Sequence, residues 1–156
     1  MIPDWREADG LAFDMDGTLA NLYAVADWLP KLRAYDPEPY FKAAPMWDME
    51  ALALVLEMLR LNGWEIAIIT WLSKGSNPDY DAAVRRAKRD WLERYNIPYD
   101  RFHGIKYGRT KADSVRKSCA YGILIDDNET VCAGWTLGPT INPTKENIIE
   151  KLLSLL

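Results

Sequence analysis

The sequence predicts an α/β fold, a three-layer Rossmann-like parallel sheet with helices on both faces, and three observations predict it. Short apolar runs, "LAF" at residues 11–13, "EIAIIT" at 65–70 and "YGILI" at 121–125, read as strands buried on both faces. Between them lie amphipathic patterns of helical period, and strands alternating with helices imply parallel pairing through right-handed crossovers. Each strand also ends against polar or turn-forming residues, at the carboxyl rim where such sheets meet their ligands.

Taken in order, "LAF" runs into "DMDGTLA", where Gly17 permits a tight turn. Residues 21–47 are broken by Pro30, Pro37, Pro39 and Pro45 and read as a small insertion, about half of it helical. A helix is expected over residues 49–61, with Leu52, Leu54, Val55, Met58 and Leu61 facing inward and Asn62-Gly63 ending it. After the second strand, residues 81–95 repeat the pattern with Ala83, Val84, Ala87, Trp91 and Leu92 inward, and "NIP" stops it. A strand region near 102–105, a short helix beginning at Lys111, and a final helix from Thr144 or Lys145 to Leu155 complete the series. In that last helix Ile148, Ile149, Leu152 and Leu153 form the inward stripe.

At 156 residues and 49% hydrophobic content, with no linker-like break, one domain spanning 1–156 is expected. A net charge of -4 argues against a surface built chiefly to grip a phosphate backbone, so the expected partner is a small molecule. No apolar run reaches the roughly 20 residues a bilayer span needs, and the acidic start "MIPDWREADG" is unlike a secretory signal, so a cytoplasmic location without membrane contact is expected. Cys119 and Cys132 form no CxxC pair and indicate neither a disulfide framework nor a zinc site. His103, the single histidine, reads as a packing or surface residue.

The rim collects Asp14 and Asp16, Thr70, and Asp126 with Asp127. Four carboxylates converging there would repel one another unless a cation neutralises them. An all-oxygen donor set without histidine or cysteine favours Mg²⁺. The competing reading of "IDDNET" is a helix N-cap followed by acids in the first turn. Thr70 is placed to cradle phosphate oxygens, and the Lys111 ammonium to offset their charge.

The ordered set "FDMDGTLA", "IAIIT", "RTKADSV" and "ILIDDNE" resembles the phosphatase branch of the haloacid dehalogenase-like (HAD) superfamily. The run from "PMWDMEALALVLEMLRLNGWEIAIIT" through "RDWLERY" to "LIDDN" is most similar to the 5'(3')-deoxyribonucleotidase group, although the cap is shorter and "TWLSK" replaces the Thr-Ser-Pro type of sequence. The resemblance implies a Mg²⁺-dependent phosphomonoester hydrolase with a minimal cap at 21–47, in which Asp14 is the nucleophile and Asp16 the general acid and base. It further implies that Thr70 and Lys111 hold the phosphoryl group. Mg²⁺ would be bound by Asp14, the backbone carbonyl of Asp16, and Asp126 and Asp127, the direct ligand of the last pair being left open. The second acid favours ester hydrolysis over dehalogenation or ion pumping, and a phosphomutase shares it.

Tyr23, Trp28, Tyr35, Tyr40, Phe41 and Trp47 crowd the insertion, and Trp71 follows Thr70 directly; such rings either stack on a nucleobase or pack the insertion down. Trp71 is grouped with the phosphate-contacting residues on account of its neighbour, with Ser73 and Lys74 next. The motif order is also similar to the 3'-phosphatase domain of polynucleotide kinases. A nucleic-acid end is therefore the alternative substrate, docking on the helix face of Arg85, Arg86, Lys88 and Arg89; other small phosphorylated metabolites and a non-catalytic phosphate-binding role complete the alternatives.

Overall fold

The computed structural model describes residues 9–75, 77–115 and 122–156. Five strands form one parallel sheet: β1 (Gly10–Phe13), β4 (Glu65–Trp71), β5 (Arg101–Ile105), β6 (Ile123–Ile125) and β7 (Thr140–Ile141). Their order across the sheet is β5-β4-β1-β6-β7. The chain builds one half outward from β1 through β4 to β5, then returns to the other side of β1 for β6 and β7. This reversal makes the gap between β1 and β6 the topological switch point, where open α/β sheets place their ligands. The expected three-layer fold is thus the one observed, with β7 added, a strand too short to leave a periodic signal.

Alternation along the strands divides the core into two layers. Leu11 and Phe13 of β1, Ile66 and Ile68 of β4, and Ile123 and Ile125 of β6 face the helices α3 (Met49–Leu61), α4 (Pro78–Arg94) and α7 (Ile148–Leu153). Ala12, Ala67, Ile69 and Leu124 face the other way, toward α5 (Lys111–Val115) and Trp135, with Val131 of α6 (Glu129–Ala133) packed alongside. Small side chains on this second face let short helices approach closely.

The expected bounds of α3 are met, but its buried face is different. Met49, Leu52, Val55, Leu56 and Leu59 are buried, whereas Leu54, Met58 and Leu61 are exposed, Leu61 to 81%. Leu52 and Val55 of the expected stripe are thus in the core, but the helix is apolar on more than one side and spacing alone does not choose the other members. Asp48 caps its start by accepting from the Ala51 N–H, and Gly63 follows its end at φ +94°. Helix α4 starts three residues before the expected Asp81, because Asn77 accepts from Tyr80 N–H and Pro78 needs no amide partner in the first turn. Ala83 and Ala87 are only half-buried; the inward stripe is Tyr80, Val84, Lys88, Trp91 and Leu92. In α7, capped by Asn147, Ile148 and Leu152 are buried while Leu153 is exposed.

Between the two-residue strands β2 (Ala20–Asn21) and β3 (Ala44–Pro45), which pair antiparallel, lie a 3₁₀ turn at Leu22–Ala24 and the helices α1 (Trp28–Arg33) and α2 (Glu38–Lys42). This excursion is tied down onto α4. Leu22 and Tyr40 pack against Leu72, Tyr80 and Val84, and Trp91 Nε1 donates to the Ala43 carbonyl at 2.8 Å. Among the described residues no helix is long and apolar enough to cross a membrane.

Candidate active site

Register builds the site. Phe13 pairs with Ile68 on one side and Ile125 on the other, so the next residues, Asp14, Ile69 and Asp126, stand at one level across three adjacent strands. Adjacent strands lie about 4.8 Å apart, which brings the Asp14 and Asp126 side chains together at the switch point. Asp14 N–H still donates to the Ile125 carbonyl at 3.0 Å and Asp126 N–H to the Ile141 carbonyl at 3.1 Å, so both acids leave the sheet from fixed backbone.

The turn after Asp14 aims the second acid. Gly17 sits at φ +81°, and a Cβ there would collide with the Asp127 carboxylate. Thr18 is fully buried and links the first and last motifs. Its Oγ1 lies 3.1 Å from Asp14 Oδ2 and 3.3 Å from Asp127 Oδ1, and accepts the Asp127 N–H at 3.1 Å. Beyond Asp127, Asn128 caps α6, so the helix cap expected in "IDDNET" is formed. The cap residue is Asn128, which leaves both aspartates for the rim.

Ligand atoms of Asp14, Asp126 and Asp127 all lie within 4.8 Å of one another. Burial, then the neighbouring Asp14, pushes the Asp127 carboxyl up to about 7. The Asp126 carboxyl is also raised, by burial and then by Asp14, against the pull of Lys111. Crowded, half-desolvated carboxylates that resist ionising are what a hard divalent cation relieves, so the donor set fits Mg²⁺. The Asp16 side chain stands apart from this triad.

Lys111 is 3% exposed, and its Nζ donates to Asp14 Oδ1 at 2.8 Å and to Asp126 Oδ2 at 2.7 Å. Burial disfavours its charge, but Asp14 and Asp126 outweigh burial and raise its pKa. Two of its three N–H donors are thereby used. Asp16 is raised above the ordinary carboxylate range by burial, opposed first by Lys88.

Thr70 stands at the end of β4 as expected, yet it is fully buried and lies outside the cleft lining, its Oγ1 accepting from Lys88 Nζ at 2.7 Å. Trp71 does line the cleft; its Nε1 donates to the Arg109 carbonyl at 2.9 Å, so it presents a ring. Ser73 is held by Asp81 through both its N–H and its hydroxyl, and the Lys74 ammonium rests 5.5 Å from the Tyr107 ring centroid.

A cleft of about 470 Å³ opens above the acids, with Asp14, Asp16, Lys111, Asp126 and Asp127 on its polar side. Its aromatic walls include Tyr23 and Trp28, in edge contact at 5.1 Å, and Trp71 and Tyr107, at 5.0 Å. Tyr35 and the buried Tyr40 also line the cleft, whereas Trp47 lies outside the lining, its Nε1 donating to the Thr18 carbonyl at 2.8 Å. Cys132 is half-buried with its Sγ 3.4 Å from the Asp126 carbonyl, and burial pushes its thiol up to about 11; Cys119 lies outside the described residues.

The basic face expected on α4 is formed only in part. Arg86 and Arg89 are exposed, the latter with its guanidinium 4.9 Å from the Phe102 ring centroid, and half-buried Arg85 donates Nη2 to the Gly104 carbonyl at 3.4 Å, whereas Lys88 is 1% exposed and points into the site. Lys88 is the site residue that motif reading missed. The signal was present: position 88 falls on the stripe of Val84, Trp91 and Leu92, where a lysine must be buried and therefore paired.

No protein-family model and no curated protein matches the chain. Its structure is similar to a chain in the structure of the Pnkp1/Rnl/Hen1 RNA repair complex, at 18% identity and TM-score 0.59, covering 91% of this chain and 45% of that one. It is also similar to the D,D-heptose 1,7-bisphosphate phosphatase from Burkholderia thailandensis, at 15% identity and TM-score 0.50, covering 84% of this chain and 74% of that one. A third similar structure is the N-terminal part of protein BF1531 from Bacteroides fragilis containing a phosphatase domain complexed with Mg, at 15% identity and TM-score 0.56, covering 96% of this chain and 40% of that one. The chain thus spans less than half the length of two of these chains, and at such identities the likeness establishes the fold.

Proposed function

We propose that the chain is a HAD-type phosphomonoester hydrolase that works through an aspartyl-phosphate on Asp14. The observation that carries this reading is the convergence of Asp14, Asp16, Lys111, Asp126 and Asp127 on one cleft at the sheet's switch point. An Asp14 carboxylate oxygen attacks phosphorus, the bond from phosphorus to the leaving oxygen breaks, and that oxygen takes a proton from Asp16. In the second half, water attacks the phosphorus of the acyl phosphate, Asp16 accepts the water's proton, and inorganic phosphate leaves with the Asp14 carboxylate restored. Lys111 meets a phosphoryl oxygen with its remaining N–H and fixes the Asp14 carboxyl group through its 2.8 Å bond to Oδ1. Asp14, Asp126 and Asp127, with the Asp16 carbonyl, would hold Mg²⁺, which would supply charge neutralisation at the phosphoryl group.

The substrate in this reading is a nucleotide. The cleft is of the size that holds small ligands, and Tyr23, Trp28, Trp71 and Tyr107 offer ring faces opposite a phosphate-sized polar floor. A second reading, a phosphatase of 3'-phosphorylated nucleic-acid ends, is supported by the likeness to a chain of an RNA repair complex. The basic face on which such an end would dock loses Lys88 to the site and keeps Arg86 and Arg89 exposed.

A panel of nucleoside monophosphates, sugar phosphates and 3'-phosphorylated oligonucleotides with Mg²⁺ tests the assignment. Phosphate release from mononucleotides that Asp14→Asn abolishes is the expected result. Preference for oligonucleotides with steep salt dependence transfers the assignment to the second reading, and no release from any of them removes both.

A further inference from the structure

Lys88 makes three hydrogen bonds from Nζ: to Thr70 Oγ1 at 2.7 Å, to the Trp71 carbonyl at 2.8 Å and to Asp16 Oδ2 at 2.9 Å. An ammonium has three N–H donors, so this one is saturated. The Tyr40 ring covers it, its centroid 4.7 Å from Nζ. Lys88 thus has no donor for a substrate, whereas Lys111, with two bonds to carboxylates, keeps one.

Two of the three partners are rigid. Thr70 and the Trp71 carbonyl end β4, a central strand paired on both sides, and Lys88 rises from the middle of the longest helix. The third, Asp16, lies in the turn that follows β1, where a short acid side chain has several rotamers. An ammonium fixed at two points by the sheet and sealed by a ring of α2 therefore fixes the third.

We propose that Lys88 is a positioning residue that clamps Asp16 Oδ2 to the end of β4, leaving Oδ1 as the oxygen that hands a proton to the leaving group. The inference rests on Asp16 being the proton donor in the reading above. The same contacts explain why Thr70 lies beneath the cleft: it anchors the clamp. They also give the excursion between β2 and β3 a role beyond substrate contact, since Tyr40 keeps water from the ammonium.

The test compares wild type with Lys88→Met and Lys88→Arg on two esters that share a phosphoryl group, 4-nitrophenyl phosphate and an alkyl phosphate. A nitrophenolate leaves without a proton, and an alkoxide does not. Because Asp16 also serves the later hydrolysis that both esters share, the comparison uses kcat/KM, which reports the steps up to leaving-group departure. Lys88→Met is expected to lower it about 100-fold on the alkyl ester, the lower end of what a general acid supplies. On the nitrophenyl ester the expected loss of kcat/KM is about threefold, with competitive inhibition by inorganic phosphate changed less than about threefold and partial recovery in Lys88→Arg. Adding Lys88→Met to Asp16→Asn should cost almost nothing further.

Equal losses of kcat/KM on the two esters, a loss matched by weaker inhibition by inorganic phosphate, or full alkyl-ester activity in Lys88→Met would each overturn the proposal. If thermal melting shows that Lys88→Met is unfolded, the ratio of losses on the two esters in Lys88→Arg decides by the same criterion. Wild type inactive on both esters would sink the phosphatase reading and the inference with it, whereas an active wild type with ester-independent Lys88 losses sinks the inference alone.

Discussion

A methyl group at Gly17 would meet the Asp127 carboxylate on a backbone already at φ +81°, so the small residue that follows the two leading acids is fixed by an acid 110 positions away in "IDDNET". Gly17→Ala is expected to cost about 1–2 kcal/mol from the left-handed backbone alone, plus the displacement of Asp127, read as a lowered urea midpoint together with weaker Mg²⁺ stabilisation. Asp16→Asn is expected to lower kcat on an alkyl phosphate by about 10²–10⁴-fold, the range for a general acid, with KM little changed; steady-state kinetics check it. Asp14, Asp126 and Asp127 were legible because they follow apolar strands directly, and a parallel sheet must bring such positions to one rim. Thr70 was legible in place but not in partner. Its hydroxyl bonds inward to Lys88 because a buried ammonium there needs three acceptors, and no spacing within β4 reveals which helix supplies the donor.

At the scale of elements, α3 shows what periodicity can and cannot choose. Two apolar stripes run along it: Leu52, Val55, Leu56 and Leu59 are in the core, while Leu54, Met58 and Leu61 face solvent. Both have helical spacing, so only packing against β1, β4 and α7 selects between them. Leu56→Ala is expected to cost about 2–5 kcal/mol, while Leu61→Lys should stay within about 0.5 kcal/mol; chemical denaturation of the pair distinguishes the stripes. In α4 the inward face was read correctly at Val84, Trp91 and Leu92, and the lysine on the same face was taken for surface because its charge outweighed its position. A charged residue on an apolar stripe marks either a frayed helix or a buried partner. Here the partner is Asp16.

Over the whole molecule, the strand order, with β6 and β7 returning beside β1, depends on contacts more than 100 residues apart that no local pattern encodes. The crowded acids give the assembled fold a pH signature. Asp127 is pushed up to about 7, and Asp16 and Asp126 are also raised. An acid whose folded pKa exceeds its unfolded value, near 4, holds its proton more tightly in the folded state. Between pH 4 and about 7 the folded protein therefore binds more protons than the unfolded chain, and these groups lower stability as pH rises. Without divalent cations the melting temperature is expected to gain a falling contribution from pH 5 to 8 that Asp127→Asn flattens, and Mg²⁺ should restore stability far more at pH 8 than at pH 5. Calorimetry in EDTA and in Mg²⁺ checks both.

The central claim is that Asp14 carries the phosphoryl group, and an acyl phosphate can be captured directly. Borohydride quenching during turnover of a phosphomonoester in Mg²⁺, followed by peptide mass spectrometry, is predicted to find Asp14 reduced to homoserine, with Asp16, Asp126 and Asp127 unchanged. Steady phosphate release with Asp14 unmodified, accompanied by turnover in Asp14→Asn, would contradict it.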